Sequence, residues 1–76
     1  MDMENLVKMA NQIGGFYESY PDQVEASNEI ANHLKKFWEP RMRSQLLDHV
    51  DNQHGAGLSD ILLLSISSHR QALQPK

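Results

Sequence analysis

The stretch HLKKFWEPRMR, residues 33–43, decides whether the middle of this 76-residue chain forms two helices joined by a corner or one kinked helix. Apolar residues at helical spacing lead into it, and Pro40 interrupts it. Proline is tolerated in the first turn of a helix, but it pushes the residue before it out of the helical region. We therefore predict a second helix over about residues 23–38, a sharp corner, and a third helix over about 41–53. One kinked helix is the alternative.

Before this corner, Pro21 marks a second break. It ends a first helix over about residues 4–20, and Asp22 with Glu25 forms a capping box for the second helix. The first helix has one apolar stripe at helical spacing: Leu6, Met9, Ile13, Phe16, Tyr17 and Tyr20. Gly14-Gly15 interrupts this stripe, which indicates either a weak point in the helix or the close approach of another helix.

Beyond the corner, a loop at residues 52–57 contains two glycines. Ser59 is the expected N-cap of a fourth helix over about residues 60–73. Spacings of three and four dominate, and no sustained alternation of apolar and polar residues occurs. The sequence therefore predicts an all-α fold, a single small bundle of four short helices that occupies residues 1–76 as one domain.

The composition limits the classes of partner and the cellular location that we expect for this protein. Seven Lys and Arg against ten Asp and Glu give a net charge of −3, which disfavours nucleic acid and anionic membranes as partners. The apolar run at residues 61–64 is too short to span a bilayer, and the acidic residues 1–4 do not resemble a secretory signal, so we expect a cytoplasmic protein. A domain this small is marginally stable, and without cysteine it has no disulfides. We expect its stability to depend on a partner or on an efficient helical core, and we expect the isolated chain to self-associate or to be only marginally stable.

No residue pattern indicates catalysis or ligand binding. The four histidines, His33, His49, His54 and His69, lack the spacing of a zinc site. Neither glycine cluster matches a phosphate-binding loop, no serine lies in a nucleophile elbow, and Glu25 with Glu29 is better explained as a solvated acidic face. We therefore predict a protein that is not an enzyme, with no catalytic residue, no bound cofactor and no metal.

Residues 33–43 are the exception, because they hold four of the seven cations and the only tryptophan. Phe37 and Trp38 point about 100° apart on a helix, so a small core can fully bury only one of them. Trp and Arg are enriched among binding hot spots. One alternative is that both aromatic residues lie in the core and the cations form a solvated rim. A second, weaker alternative is a surface that binds single-stranded nucleic acid. We predict a partner-binding surface formed by Phe37, Trp38, Arg41 and Arg43.

Each of these four residues has an expected role. Trp38 anchors in an apolar pocket of the partner, and Phe37 supports it from the domain's own core. Arg41 and Arg43 lie about 200° apart on a helix, so they cannot share one carboxylate. One should contact the partner, and the other should face solvent or pair with Glu39 or Asp48.

At this point the sequence resembles a known family. Residues 9–14, 33–43, 46–51 and 55–59 are similar to the delta subunit of the cytoplasmic, NAD-dependent, molybdenum-containing formate dehydrogenase. The similarity runs in order from about residue 5 to residue 73, and residues 37–43 are its most specific part.

The resemblance implies an accessory role. In that family the large alpha subunit holds a molybdopterin cofactor and iron–sulfur clusters, and beta and gamma subunits carry electrons to the NAD site. The delta subunit is expected to bind the alpha subunit and to aid its assembly, cofactor loading or stability. The alternative is a free-standing, homo-oligomeric helical module or regulator.

Overall fold

The computed structural model describes residues 2–75, and all regular structure in that range is helical. Met1 and Lys76, which the predicted domain includes, lie outside the described residues. The helices are α1 (Met3–Tyr17), α2 (Gln23–Phe37), α3 (Pro40–Gln53), α4 (Asp60–Ser68) and α5 (Arg70–Leu73). The all-α prediction is confirmed, and α1 to α4 correspond to the four predicted helices. None of these helices is long and apolar enough to cross a bilayer.

The predicted fourth helix over residues 60–73 is interrupted at His69, whose backbone has left the helical region at φ −120° and ψ 25°. The hydroxyl of Ser67 donates to the carbonyl of Leu63 at 2.7 Å, a bond back along the helix that bends it. The chain then forms the single turn α5, whose Leu73 is buried in the core. The extent predicted for this helix was therefore wrong.

The core joins all five helices, with α2 packed against α1, α4 and α5, and α1 also packed against α3 and α4. Its fully buried large apolar residues are Leu6, Ile30, Leu34, Leu46, Leu62, Ile66 and Leu73. Two members of the predicted α1 stripe are exposed instead. Phe16 lies about 80° around the helix from Leu6, and Tyr20 lies beyond the end of α1, where helical spacing no longer applies.

Gly14 lies where α1 crosses α4. It is buried, and a Cβ atom at this position would overlap Leu62 Cδ2 and lie 3.3 Å from Ile61 Cγ2. A Cβ on Gly15 would meet nothing within 4 Å. The sequence left open a weak point or the close approach of another helix; close approach is correct for Gly14 and does not apply to Gly15.

The two predicted N-caps behave differently. Asp22 Oδ1 accepts from the backbone amides of Val24 at 2.9 Å and Glu25 at 3.3 Å, as predicted, but within residues 2–75 the Glu25 side chain makes no return bond. Ser59 occupies the N-cap of α4, yet its side chain makes no capping hydrogen bond. The capping box is therefore half formed, and the predicted Ser59 cap bond is absent.

A side chain from α1 holds the loop before α4 in place. Asn11 Nδ2 donates to the carbonyl of Gly57 at 2.9 Å, and the backbone amide of Ser59 donates to Asn11 Oδ1 at 2.9 Å. We call these three residues the Asn11 clamp. The loop itself requires left-handed backbone at His54, φ 57°, and at Gly55, φ 68°. The clamp thus joins α1 to the loop before α4 through one side-chain amide.

Replacing Asn11 with alanine should lower the free energy of unfolding by about 1.5 kcal/mol. Two hydrogen bonds worth together about 2 kcal/mol are lost, and the higher helix propensity of alanine returns about 0.5 kcal/mol. Urea unfolding followed by circular dichroism measures the change. Gln12→Ala, at an exposed neighbour on the same helix, is the matched control and should shift the midpoint very little. Equal midpoints for the two variants would contradict the clamp.

Candidate partner-binding surface

The corner between α2 and α3 is built as the sequence predicted. The last residue of α2 is Phe37, and Trp38 and Glu39 then adopt extended backbone, with ψ 136° and 153°. Pro40 occupies the first turn of α3, where its missing amide loses no partner. Two residues of extended chain therefore replace the alternative of one kinked helix.

The two aromatic residues at this corner have exchanged the places predicted for them. Trp38 is 6% exposed and belongs to the core, whereas Phe37 is 70% exposed. The prediction treated both as helical, so that their directions differed by about 100°. Since the helix ends at Phe37, the extended backbone of Trp38 turns its indole inward instead. The expected anchoring of Trp38 in a partner's pocket and of Phe37 in the core is wrong.

Phe37 is part of a larger aromatic surface. The ring of His33 packs against it with centroids 4.8 Å apart. Tyr17 of α1 lines the same shallow cleft of about 120 Å³ and packs edge-on against Tyr20 at 5.3 Å. We call Tyr17, Tyr20, His33 and Phe37 the aromatic face. Sequence analysis missed His33 as a member, although its spacing of four from Phe37 places both on one side of a helix.

Arg41 and Arg43 lie on different sides of α3, as their spacing predicts. Arg41 is exposed and Arg43 is half-buried, and within residues 2–75 neither forms an ion pair with Glu39 or Asp48. The Nε atom of Arg43 is buried and has no hydrogen-bond partner. Both arginines therefore keep their charges unpaired in the part of the chain described.

An open groove of about 500 Å³ runs between the corner and the C-terminal turn. Its main lining residues are Lys35, Pro40, Arg43, Gln71, Gln74 and Pro75. We call it the Lys35–Arg43 groove. Because Lys35 and Phe37 are two positions apart on α2, the groove and the aromatic face lie about 200° apart around that helix. Of the four predicted residues, Phe37 therefore belongs to the aromatic face and Arg43 to the groove, whereas Trp38 lies in the core and Arg41 lines neither surface.

Two of the four histidines have structural contacts in this arrangement. His33 stacks on Phe37, and His49 Nε2 lies 2.8 Å from the carbonyl oxygen of Ala56, which ties α3 to the loop that follows it. Among residues 2–75, no group of three or more His, Asp or Glu side chains is placed to hold a metal ion.

A family model described as the NADH-dependent formate dehydrogenase delta subunit, FdsD, matches residues 5–66 of this chain. The matched region contains the Asn11 clamp, the corner and the whole aromatic face. It ends within α4, so the α5 wall of the Lys35–Arg43 groove lies outside it. Comparison with curated proteins and with solved structures gave no match.

Proposed function

This chain belongs to the family of NADH-dependent formate dehydrogenase delta subunits, and from that membership we propose a non-catalytic, cytoplasmic accessory subunit of the molybdenum-containing enzyme. In this proposal it binds the alpha subunit and aids its assembly, cofactor loading or stability. It binds no cofactor itself. The molybdopterin, iron–sulfur and flavin chemistry belongs to the larger subunits.

The observation that carries this proposal is the exposure of Phe37. A phenylalanine 70% exposed beside a tyrosine and a histidine offers apolar area that water does not favour. Aromatic residues are enriched in protein interfaces, and here they lie inside the region that the family model matches. Surface of this kind supports a binding role for the protein.

In this proposal the four residues predicted for docking have different roles. Phe37 contacts the alpha subunit directly, and Trp38 acts indirectly by fixing the corner from inside the core. Arg41 and Arg43 supply charged contacts on different sides of α3. Phe37 is the residue of this set whose removal best separates docking from folding, since its side chain is largely in solvent.

Phe37→Ala should weaken binding to the alpha subunit by about thirtyfold, the effect of losing an interface hot spot worth about 2 kcal/mol. The complex is purified through a tag on the alpha subunit. The readouts are the ratio of delta to alpha, the molybdenum content, and formate-dependent NAD reduction per molybdenum. The ratio and the loading should fall, and turnover per molybdenum should not change.

Leu64→Ala is the matched control, because Leu64 is 42% exposed and lies on α4, which contributes no residue to the aromatic face. Full delta stoichiometry with Phe37→Ala would show that the alpha subunit docks elsewhere. A collapse of turnover per molybdenum with normal loading would replace the accessory role with a catalytic one. Recovery of wild-type delta only as a multimer of itself would favour the free-standing homo-oligomeric module.

A further inference from the structure

The Lys35–Arg43 groove combines positive charge with an unmet hydrogen-bonding requirement. Two of its walls carry cations, and no acidic side chain of the described chain lines it. The buried Nε–H of Arg43 has no acceptor. Since this nitrogen has almost no solvent exposure, a ligand in the groove would meet the other guanidinium nitrogens of Arg43 and the ammonium of Lys35. The groove therefore favours a ligand that brings an acceptor with a negative charge.

The donor groups that line the groove are of the kinds that bind a carboxylate. A guanidinium is a planar fork of donors that binds the two oxygens of a carboxylate side by side, and the ammonium of Lys35 adds a second charge. Gln71 and Gln74 line the opposite wall with amides that can donate to the same group. Pro40 places the amino end of α3 in this wall, and the Glu39 side chain does not cap it. That helix end carries a partial positive charge.

We propose that the Lys35–Arg43 groove binds an aspartate or glutamate side chain presented by the alpha subunit. The assignment of this side chain to the alpha subunit rests on the proposed function. A nucleic-acid or other polyphosphate ligand is disfavoured, because two cations face it while the whole chain carries a net charge of −3. The two cations of the groove are sufficient to balance the single negative charge of one carboxylate.

This second contact lies on the other side of α2 from the aromatic face. A partner that reaches both surfaces must enclose the C-terminal end of α2 and the corner. The aromatic face then supplies apolar contact area, and the groove fixes the orientation of the two proteins. Charged contacts at interfaces act mainly in this way, on specificity and register.

Charge reversal in the complex tests the proposal. Lys35→Glu should lower the affinity for the alpha subunit at least tenfold, because it places a carboxylate against a carboxylate. Lys8→Glu makes the same change at an exposed site on α1 and should alter the affinity less than twofold. Arg43→Gln should also weaken binding about tenfold, with circular dichroism confirming its fold. Affinities for Lys35→Glu and Lys8→Glu that match would overturn the proposal.

Carbodiimide coupling of the wild-type complex supplies a positional test. The reagent joins an amine to a carboxylate in contact with it, and mass spectrometry then identifies the linked peptides. A link between Lys35 and an aspartate or glutamate of the alpha subunit supports the proposal. Links from alpha carboxylates to Lys8 or Lys36, without one to Lys35, contradict it.

The isolated full chain separates this proposal from the proposed function. Addition of glutarate should shift the NMR signals of the Arg43 Nε–H and of the Gln71 and Gln74 amides, and the shifts should saturate. Loss of these shifts in Arg43→Gln supports the site. Unshifted groove signals, or tighter binding of inorganic phosphate, overturn the carboxylate assignment. If glutarate binds but the alpha subunit never co-purifies, the carboxylate site stands and its assignment to alpha falls with the proposed function.

Discussion

Replacing Gly14 with alanine should lower the free energy of unfolding by up to about 2 kcal/mol, whereas the same change at Gly15 should raise it by up to about 1 kcal/mol. The new Cβ at Gly14 overlaps Leu62, which is fully buried in the core. Overpacking of this kind costs about 1–3 kcal/mol, against about 1 kcal/mol gained from helix propensity. At Gly15 only the gain applies, because the space around it is open.

Urea unfolding of both variants measures this difference. The two substitutions are chemically identical and adjacent on one helix, so each serves as the control for the other. Stabilisation by both would mean that α1 and α4 do not approach closely at Gly14. A Gly14→Ala, Leu62→Ala double variant gives a second check, since removal of the Leu62 methyl groups should relieve the overlap and make the two changes non-additive.

Trp38→Ala should cost about 3–5 kcal/mol and leave the isolated chain largely unfolded. The indole is 6% exposed and packs in the core shared by all five helices. A loss of this size equals the total stability of about 3–5 kcal/mol that a domain this small usually has. Far-ultraviolet circular dichroism and the dispersion of NMR signals report the unfolding, and Trp38→Phe should retain the fold with a smaller loss.

Phe37→Ala provides the contrast for this prediction, because the neighbouring side chain is largely in solvent. Its melting temperature should stay close to that of the wild type. Both variants should reduce the amount of delta bound to the alpha subunit, but only Trp38→Ala should do so by unfolding the protein. A stable, well-folded Trp38→Ala chain would show that the indole does not hold the corner.

Local signals in the sequence were sufficient to predict most of the fold. Pro40 restricts its predecessor and tolerates the first turn of a helix, so the corner follows from one residue. Asp22 caps the helix it was predicted to cap. These features depend on backbone sterics and on hydrogen bonds between near neighbours, which are properties of a few consecutive residues.

Features that depend on contacts between distant segments could not be predicted in the same way. Helical spacing gives a side-chain direction only while the helix continues, so the exchange of Phe37 and Trp38 followed from an endpoint one residue too late. The groove requires α5 to pack beside the corner, and no local signal brings Gln71 near Arg43. The sequence alone does not show that α4 approaches α1 at Gly14, because this contact depends on where Leu62 lies in the folded chain.

The Asn11 clamp has a consequence for the order in which the chain folds. Its two hydrogen bonds join residues that are separated by 46 and 48 positions in the sequence. Forming them therefore restricts the conformations of most of the chain at once. Helical turns form within about a microsecond, whereas contacts between distant segments wait for the chain to be assembled around them. We therefore expect the clamp to close late in folding, once α1 and the loop before α4 have been brought together by packing of the helices.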